Sequence, residues 1–236
     1  MSSYQVLRGA ARFVYQRLWL FPHTRRIYGP MSTKDAFRQV YATRNWGTSQ
    51  SDEPFYSGAG SEGSAAEEYC QLVSQFVRDQ GIRTIADLGC GDFRIGRRIA
   101  EQAARYVGVD IVPELVDYYQ RHYSDERISF QCCDITSDAL PEAELCLVRQ
   151  VLQHLSNAEV ESALRNISRY RWAMVSEHVP VSPRSFNQDK PHGPDIRGYY
   201  GSGVYPDKPP FSRRASRVWE TALEDGSVLR TVLLEQ

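Results

Sequence analysis

The sequence predicts a doubly wound α/β fold, with a mostly parallel seven-stranded sheet that ends in an antiparallel hairpin and is preceded by helices. Short apolar runs alternate with helical patterns over residues 62–178, which is typical of βαβ units around a parallel sheet. Two later apolar runs flank Asp225-Gly226, a strong hairpin-turn signal. The chain has 236 residues, of which 42% are hydrophobic and 24% charged, so it can bury a full core.

The alternating segment predicts five strands and four helices, and the hairpin adds two strands. Gly81 stops the first helix, because glycine readily adopts the left-handed conformation that ends helices. A later helix carries Pro113 in its first turn, where the missing N–H is harmless. The predicted helices cover residues 65–79, 95–104, 113–122 and 158–169, and the predicted strands cover 84–88, 106–110, 128–132, 145–149, 172–176, 218–223 and 228–234.

Residues 1–60 predict an N-terminal helical extension. Apolar residues recur at helical spacing up to Phe21, and basic residues accompany them before the first acid, Asp35. The pattern indicates a basic amphipathic helix that breaks at Pro22, a second helix over 33–43 and a Gly- and Ser-rich loop after it. The first helix either docks on the main domain or makes a peripheral contact with a membrane surface or an acidic protein partner.

Residues 61–236 predict the main domain, and residues 179–214 within it predict a lid. This segment contains seven prolines and no periodic pattern. A loop of this length inside a compact domain is usually functional or disordered. We therefore expect a substrate lid, with a merely solvated loop as the alternative.

The charge and the cysteines exclude several classes of protein. A formal net charge of -1 provides no global basic field for nucleic acid, so a nucleic-acid partner is not expected. The five cysteines form no C-x-x-C pair, so we expect neither a zinc nor a redox site and assign no metal. An odd cysteine count and the lack of an apolar run of ~18 residues fit a reduced, cytoplasmic protein.

A glycine loop follows the first predicted strand and opens a helix. Gly89 and Gly91 allow a tight turn and let a ligand approach the backbone, next to the free N–H groups of a helix N-terminus. Arg94 stands where a dinucleotide site needs its third glycine, which disfavours nicotinamide and flavin cofactors. Asp87 would repel a pyrophosphate and suits a cationic or amino-bearing ligand.

Two further acids follow the next two strands. Asp110 comes about 20 residues after the loop, where an acid can accept both ribose hydroxyls. Asp134 follows the third strand, where it can accept a hydrogen bond from an adenine amino group while Ile135 flanks the ring. The acids thus describe a nucleoside with a positive, amino-acid-like tail, with ordinary turn residues as the alternative. Neighbouring residues assigned to the same ligand are Cys90, Arg94, Ile111 and Arg149.

These motifs resemble those of class I S-adenosylmethionine-dependent methyltransferases. D-L-G-C-G-D matches that family's first motif, V-G-V-D-I its ribose-binding acid and C-D-I its adenine-side acid. The resemblance covers about half of the chain. It implies a Rossmann-like fold, S-adenosyl-L-methionine as the cofactor and methyl transfer as the activity.

A narrower resemblance is to bacterial methyltransferases associated with surface-polysaccharide and small-metabolite modification. The segments W-G at 46–47, S-G-A-G-S at 57–61, Y-V-G-V-D-I-V at 106–112 and R-Q-V-L-Q-H-L-S at 149–156 carry it. It implies that Tyr56, Ser57 and Gly58 fold over the amino-acid end of the cofactor, whereas a flexible joint is the alternative. Gln150 stands where that group has Asp.

The region after the fourth strand faces the transferred methyl in this family. The chain has no N/D-P-P-Y/F motif there and no Pro-Cys dipeptide, which disfavours amine methylation of nucleic acids and cytosine-C5 chemistry. His154 is the candidate general base, since a neutral imidazole can accept a hydroxyl proton. Glu177 and His178, at the end of the fifth strand, are candidates to assist it. A structural role is the alternative for each of the three.

The predicted function is O-methylation of a small polar acceptor, such as a sugar, a glycan intermediate or a phosphorylated metabolite. Substrate contacts are expected from Arg184, Arg197, Tyr199 and Tyr200 of the lid, which offer charge and flat faces. One alternative is an RNA methyltransferase that uses the N-terminal helix and the basic residues at 213, 214 and 217. The other is a non-catalytic nucleoside-binding interaction module.

Overall fold

The computed structural model of the protein describes residues 21–49 and 53–235. The first twenty residues, which hold most of the predicted basic helix, lie outside that part. The described residues form a seven-stranded sheet in the order β3-β2-β1-β4-β5-β7-β6, flanked by helices, which confirms the predicted fold class. The helices are α1 (Phe21–Tyr28), α2 (Thr33–Ala42), α3 (Gly63–Gln80), α4 (Arg94–Ala100), α5 (Pro113–Tyr123) and α6 (Asn157–Ile167). The strands are β1 (Thr84–Leu88), β2 (Arg105–Asp110), β3 (Ile128–Cys132), β4 (Leu145–Arg149), β5 (Trp172–Val179), β6 (Ala215–Ala222) and β7 (Val228–Leu234).

The sheet turns its direction of winding at β1. Strand β1 lies between β2 and β4 and pairs with both in parallel, with Asp87 opposite Gly108 on one side and Leu147 on the other. Strand β7 pairs antiparallel with β5 and β6. In doubly wound sheets a crevice opens beyond the carboxyl ends of the strands where the order reverses. The crevice here therefore lies next to the glycine loop that follows β1.

Three predicted boundaries differ from the structure. Helix α4 ends at Ala100, because by Ala104 the chain has turned back and its N–H donates to the carbonyl of Arg83. Strand β5 continues to Val179, since β7 pairs with it as far as Val228. Strand β6 begins at Ala215, earlier than predicted, because Ala215 already pairs with Leu234 of β7. Pro22 lies near the start of helix α1, and the residues before Phe21 lie outside the described part, so the predicted helix break at Pro22 stays a prediction.

Helix α2 packs against the main domain. Its residues Phe37 and Val40 are buried, and the Thr33 hydroxyl donates to Glu159 of α6 at 2.6 Å. Arg38 holds Glu114 of α5 through two nitrogens. The helix therefore lies across the carboxyl side of the sheet. Among the residues that the structure describes, no helix combines the length and apolar character needed to cross a membrane.

Residues 179–214 are packed rather than merely solvated. Asn187 is 3% exposed, and its side-chain amide bonds the carbonyls of Tyr205 and Pro209 while its Oδ1 accepts from the Tyr205 N–H. Lys190 is also buried. Because charged and amide groups are rarely buried without partners, these contacts hold the segment against the body of the domain.

Candidate active site

A pocket opens at the carboxyl edge of β1, β2 and β4 and encloses about 1030 Å³ including its open mouth. The glycine loop, helix α2, the turn at 57–61 and the turn at 150–155 surround it. Most of the residues predicted to bind the cofactor line it, and so does the predicted base. These residues are Ser57, Asp87, Gly89, Cys90, Gly91, Asp110, Ile111, Asp134, Ile135, Arg149 and His154.

The glycine loop has no room for side chains. Gly89 has a φ of +78°, and a Cβ there would lie 2.3 Å from a methyl of Val151. Gly91 has a φ of +52°, and a Cβ there would lie 2.4 Å from the Ser57 hydroxyl. Both positions therefore need glycine for backbone conformation and for space, and the loop backbone forms a wall of the pocket.

Two buried carboxylates flank the loop. Asp110 accepts the N–H groups of Gly91 and Val112, each at 3.1 Å, and Asp87 accepts the Tyr106 hydroxyl at 2.6 Å. Burial raises the pKa of each carboxyl to about 6, against the opposing effect of these hydrogen bonds. Two buried carboxyl groups whose pKa values lie close to neutral pH suit a ligand that brings hydroxyl donors or positive charge.

Asp134 lies at another wall of the same pocket, after β3. Its Oδ1 accepts both the N–H and the hydroxyl of Thr136 at 2.8 and 2.6 Å, while its own N–H donates to Asp138. This turn fixes the carboxylate beside the buried Ile135. The predicted pair of an acid and an apolar side chain is thus present at the pocket.

The 57–61 turn and Asp92 close one side of the pocket, and we call them the clasp. Sequence reasoning missed the acid of this clasp, Asp92. Its carboxylate accepts the Ser57 N–H at 2.9 Å and the Ser61 hydroxyl at 3.1 Å, and its own N–H donates to the Ser57 hydroxyl. Tyr41 of α2 bonds the same hydroxyl at 2.9 Å. The signal was available, because Asp92 ends the D-L-G-C-G-D motif.

Three predicted cofactor ligands, Tyr56, Gly58 and Arg94, do not line the pocket. Arg94 pairs with Glu62, and its guanidinium lies 5.3 Å from the centre of the Tyr56 ring. These contacts of Arg94 brace the 57–61 turn from outside the pocket. Direct cofactor contact by Tyr56, Gly58 and Arg94 stays a prediction.

Arg149 and Gln150 hold the clasp from the β4 side. Arg149 donates to the Gly60 carbonyl at 2.6 Å and stacks over the Tyr69 ring at 5.0 Å, and burial lowers the pKa of its guanidinium. Gln150 has a φ of +55° and its amide lies against Gly60, where a Cβ would meet it at 2.3 Å. The Gln side chain thus fills space beside the clasp.

Aromatic rings form the wall opposite the acids, and sequence reasoning missed them. Trp46 lies with its ring centre 5.1 Å from that of His154 and 5.3 Å from that of Tyr41. Phe37 packs edge-on to His154 at 6.3 Å. The Trp46 Nε1–H donates to the Pro194 carbonyl at 3.3 Å. Helical spacing of Phe37 and Tyr41 indicated only a packing face, so tertiary contacts alone show that they line a pocket.

His154 sits on a short 3-10 turn, Leu152–His154. Its carbonyl accepts the Gly193 N–H at 3.0 Å and the Lys190 ammonium at 3.2 Å. Its Nδ1 is buried with no hydrogen-bond partner among the described residues. Burial, helped by the charge of Lys190, lowers the pKa of the imidazole to about 3. The ring is therefore neutral at physiological pH and only weakly basic.

The other two proposed catalytic residues do not line the pocket. Glu177 is 1% exposed, and its carboxylate accepts the N–H groups of Leu152 and Gln153 at 2.8 and 3.1 Å; burial raises its pKa to about 8. His178 bonds Ser227 of the terminal hairpin. Glu177 thus positions the turn that carries His154, and His178 belongs to the hairpin, which corrects both predictions.

The four lid residues predicted to bind substrate also lie outside the pocket. Arg197 is fully buried and donates at 2.6–2.7 Å to Asn157 Oδ1 and to the carbonyls of Gln188 and Leu155. These hydrogen bonds hold the 179–214 segment against the start of α6. The other three, Arg184, Tyr199 and Tyr200, are exposed or half-buried on the same segment.

Glu159 joins three parts of the chain beside the pocket. It accepts hydrogen bonds from Thr33, Ser156 and the Nδ1 of His192 at 2.6–2.8 Å, and these bonds lower its pKa to about 2 against burial. The His192 Nε2 lies 3.1 Å from the Met31 carbonyl. Since both ring nitrogens face acceptors, the ring is an imidazolium, and Glu159 raises its pKa.

No group of three or more His, Cys, Asp or Glu side chains within residues 21–49 and 53–235 is arranged to hold a metal ion. The pocket thus offers acids, backbone N–H groups, aromatic rings and one histidine. These groups can bind a nucleoside and a second small molecule side by side.

Part of the chain is similar to known methyltransferases. Residues 85–171 match a family model described as a methyltransferase domain. The acetylserotonin O-methyltransferase of Bos taurus is 36% identical over 90 residues, which cover 36% of this chain and 26% of that protein. The chain therefore spans about a quarter of the length of this curated relative.

Solved structures of similar fold include three methyltransferases. The N-methyltransferase NodS of Bradyrhizobium japonicum WM9, in complex with S-adenosyl-L-homocysteine, has a TM-score of 0.58 at 12% identity, covering 87% of this chain and all of that one. Magnesium protoporphyrin IX methyltransferase of Synechocystis, with bound S-adenosylmethionine, scores 0.56 at 15% identity, covering 87% and 98%. The 1,6-didemethyltoxoflavin-N1-methyltransferase of Burkholderia thailandensis scores 0.57 at 15%, covering 86% and 87%.

At these identities the structural likeness establishes the fold, which is that of class I methyltransferases. The match of residues 85–171 to a methyltransferase domain agrees with the resemblance seen in the sequence and with the cofactor that the resemblance implies. The narrower bacterial group linked to polysaccharide and metabolite modification is not confirmed.

Proposed function

We propose that this protein is an S-adenosylmethionine-dependent methyltransferase that methylates an oxygen atom of a small molecule. The observation that carries the proposal is the buried Asp110 carboxylate, held by two backbone N–H groups at the carboxyl end of β2. In a class I methyltransferase fold this acid is placed to accept the ribose hydroxyls of the cofactor. Asp87 and the glycine loop then hold the methionine portion, and Asp134 the adenine side.

The other half of the pocket takes the acceptor. The sulfonium is already an activated methyl donor, so the protein must mainly place the acceptor oxygen in line with the methyl group, and positioning supplies much of such rate enhancements. His154 lines the pocket, and its low pKa makes it a weak base. Removal of the acceptor proton before the transfer therefore contributes little.

A phosphorylated acceptor receives no support, because the lid cations predicted to bind one lie outside the pocket. RNA as acceptor is weakened as well: Arg213, part of the predicted basic footprint, pairs with Glu161 at 2.6 Å. The side chain of Arg217 and most of the predicted basic helix lie outside the described part of the chain. All five cysteines are free thiols, as expected in a reducing compartment such as the cytoplasm.

Calorimetric titration with S-adenosylhomocysteine tests the cofactor site. Asp110→Ala should abolish binding, since it removes the acceptor of the ribose hydroxyls, whereas Asp117→Ala, on the exposed face of α5, should bind like the wild type. Unchanged affinity in Asp110→Ala would remove Asp110 from the site and withdraw the proposal.

Transfer of a tritiated methyl group into a cell extract, followed by fractionation by size, tests the class of acceptor. Label in the small-molecule fraction supports the proposal, label in RNA supports the alternative, and no label indicates a module that only binds the nucleoside. With the acceptor in hand, His154→Ala should lower turnover and leave the affinity for the cofactor nearly unchanged.

A further inference from the structure

The walls of the pocket differ in chemistry. Its carboxylates and its one guanidinium come from the carboxyl ends of β1, β2 and β4, from the glycine loop and from the turn after β3. We call the aromatic and apolar part of the lining the ring half; it consists of Phe37, Tyr41, Trp46, Val151, His154 and Leu155. No charged residue belongs to this set, so the molecule that occupies the ring half meets chiefly flat, apolar faces.

The polar side-chain atoms of the ring half are nearly all in use. The Trp46 Nε1–H is bonded to the Pro194 carbonyl, and the Tyr41 hydroxyl to Ser57. The neighbouring Thr33 hydroxyl, which also lines the pocket, is bonded to Glu159. His154 Nε2 lies 3.4 Å from the Gln153 side-chain amide, and His154 Nδ1 is buried away from solvent.

Charged groups near the ring half are turned away from it. The Lys190 ammonium donates to the His154 and Pro191 carbonyls behind the turn, and does not line the pocket. An anionic acceptor would therefore find no counter-charge. A sugar would bury several hydroxyls without partners, each costing on the order of tenfold in affinity.

We propose, on the basis of the proposed function, that the acceptor is an uncharged, flat aromatic or heteroaromatic molecule that carries a hydroxyl group. Its ring packs against Trp46 and Phe37, where offset or edge-on contact between aromatic rings is favourable. This class replaces the sugars and phosphorylated metabolites expected from the sequence. In the reaction the methyl–sulfur bond breaks with its electron pair going to sulfur, and a hydroxyl lone pair forms the new oxygen–methyl bond. The oxygen's proton, strongly acidic once the oxygen is methylated, passes to water.

Binding of probe compounds to the wild-type protein saturated with S-adenosylhomocysteine tests the class of acceptor. We expect 1-naphthol to bind at least tenfold more tightly than glucose or glucose 6-phosphate in calorimetric titration. Equal or tighter binding of either sugar, or no binding of 1-naphthol, would overturn the proposal. If the wild type fails to bind S-adenosylhomocysteine, the proposed function itself fails, which is a separate result.

Variants test the placement of the ring. Trp46→Ala should weaken 1-naphthol at least tenfold, Trp46→Phe should stay within threefold, and S-adenosylhomocysteine affinity should stay within threefold in both. Trp219→Ala, on the edge strand β6, should change neither affinity. Unchanged 1-naphthol affinity in Trp46→Ala would refute this placement.

Discussion

Cofactor affinity should fall as the pH is lowered, because the two acids of the pocket titrate close to neutrality. Burial raises the pKa of Asp110 to about 6, and the ribose hydroxyls need its ionised form as an acceptor. Between pH 7 and pH 5 the ionised fraction falls from about 0.9 to about 0.1, which weakens binding by about tenfold, or about 1.4 kcal/mol. Asp87 has a pKa of about 6 for the same reason, so the full loss lies between about tenfold and about a hundredfold.

The stability of the unliganded protein should depend on pH in the opposite direction. The folded-state pKa of Asp110 lies above its ordinary value of 3.8, so its contribution to stability is fully present below pH 3.8 and is lost as the pH rises through about 6. The bound cofactor prefers the carboxylate and therefore reverses this term. Thermal stabilisation by S-adenosylhomocysteine should accordingly increase from pH 5 to pH 7.

Titration calorimetry from pH 5 to pH 8 measures the affinities. Asp110→Asn should bind weakly and lose about one decade of the pH dependence, and Asp87→Asn should lose the remainder. The surface variant Asp117→Asn should reproduce the wild-type profile. A wild-type affinity that is constant across this range, or an unchanged slope in Asp110→Asn, would refute the link between burial and ligand binding.

Three further changes have expected outcomes. Gly89→Ala places a Cβ against a valine methyl and should abolish binding of S-adenosylhomocysteine. The control Gly226→Ala, at φ +82° with no atom within 4 Å of its Cβ, should cost only about 1 kcal/mol of unfolding free energy and retain binding. Equal effects of the two substitutions on binding would mean that the glycine loop does not contact the ligand. Arg197→Ala leaves three acceptors without a donor and should lower the free energy of unfolding in urea by about 3 kcal/mol or more. Arg184→Ala, at an exposed position, should lower it by less than about 1 kcal/mol. A larger loss in Arg184→Ala than in Arg197→Ala would contradict the structural role of Arg197. The pKa of His192 is raised from 6.5, so its salt bridge stabilises the fold fully below pH 6.5 and this stabilisation is lost as the pH rises above it. The melting temperature should therefore fall from pH 6.5 to pH 8.5 in the wild type, and less in His192→Gln. Equal pH dependence of the two melting temperatures would contradict the assignment of His192 as an imidazolium.

The acid side of the site was predictable because its determinants are local in sequence. Asp87, Asp110 and Asp134 each follow a short apolar strand, and the carboxyl ends of parallel strands meet at one edge of a sheet. Strands 128–132 and 145–149 lie where periodicity predicted them. A turn signal fixed the terminal hairpin in the same way.

Apart from His154, the aromatic residues of the ring half were not predictable, because they come from segments that the sheet pattern does not order. Phe37 lies on a helix whose spacing indicates packing but does not say against what. Residues 179–214 have no periodicity, so their charged side chains were predicted to bind a substrate. In the structure Arg197 uses its guanidinium on carbonyl groups and an amide, and burial of that kind leaves no trace in a single sequence.

Residues 179–214 therefore act on the acceptor site without lining it. Lys190 and Gly193 bond the carbonyl of His154, and Pro194 accepts the indole N–H of Trp46. The two rings closest to the proposed acceptor are thus both oriented by one short stretch of this segment. Lys190→Met should consequently loosen the His154 turn and weaken 1-naphthol more than S-adenosylhomocysteine. Equal weakening of both ligands would mean that the segment stabilises the whole fold rather than the acceptor site.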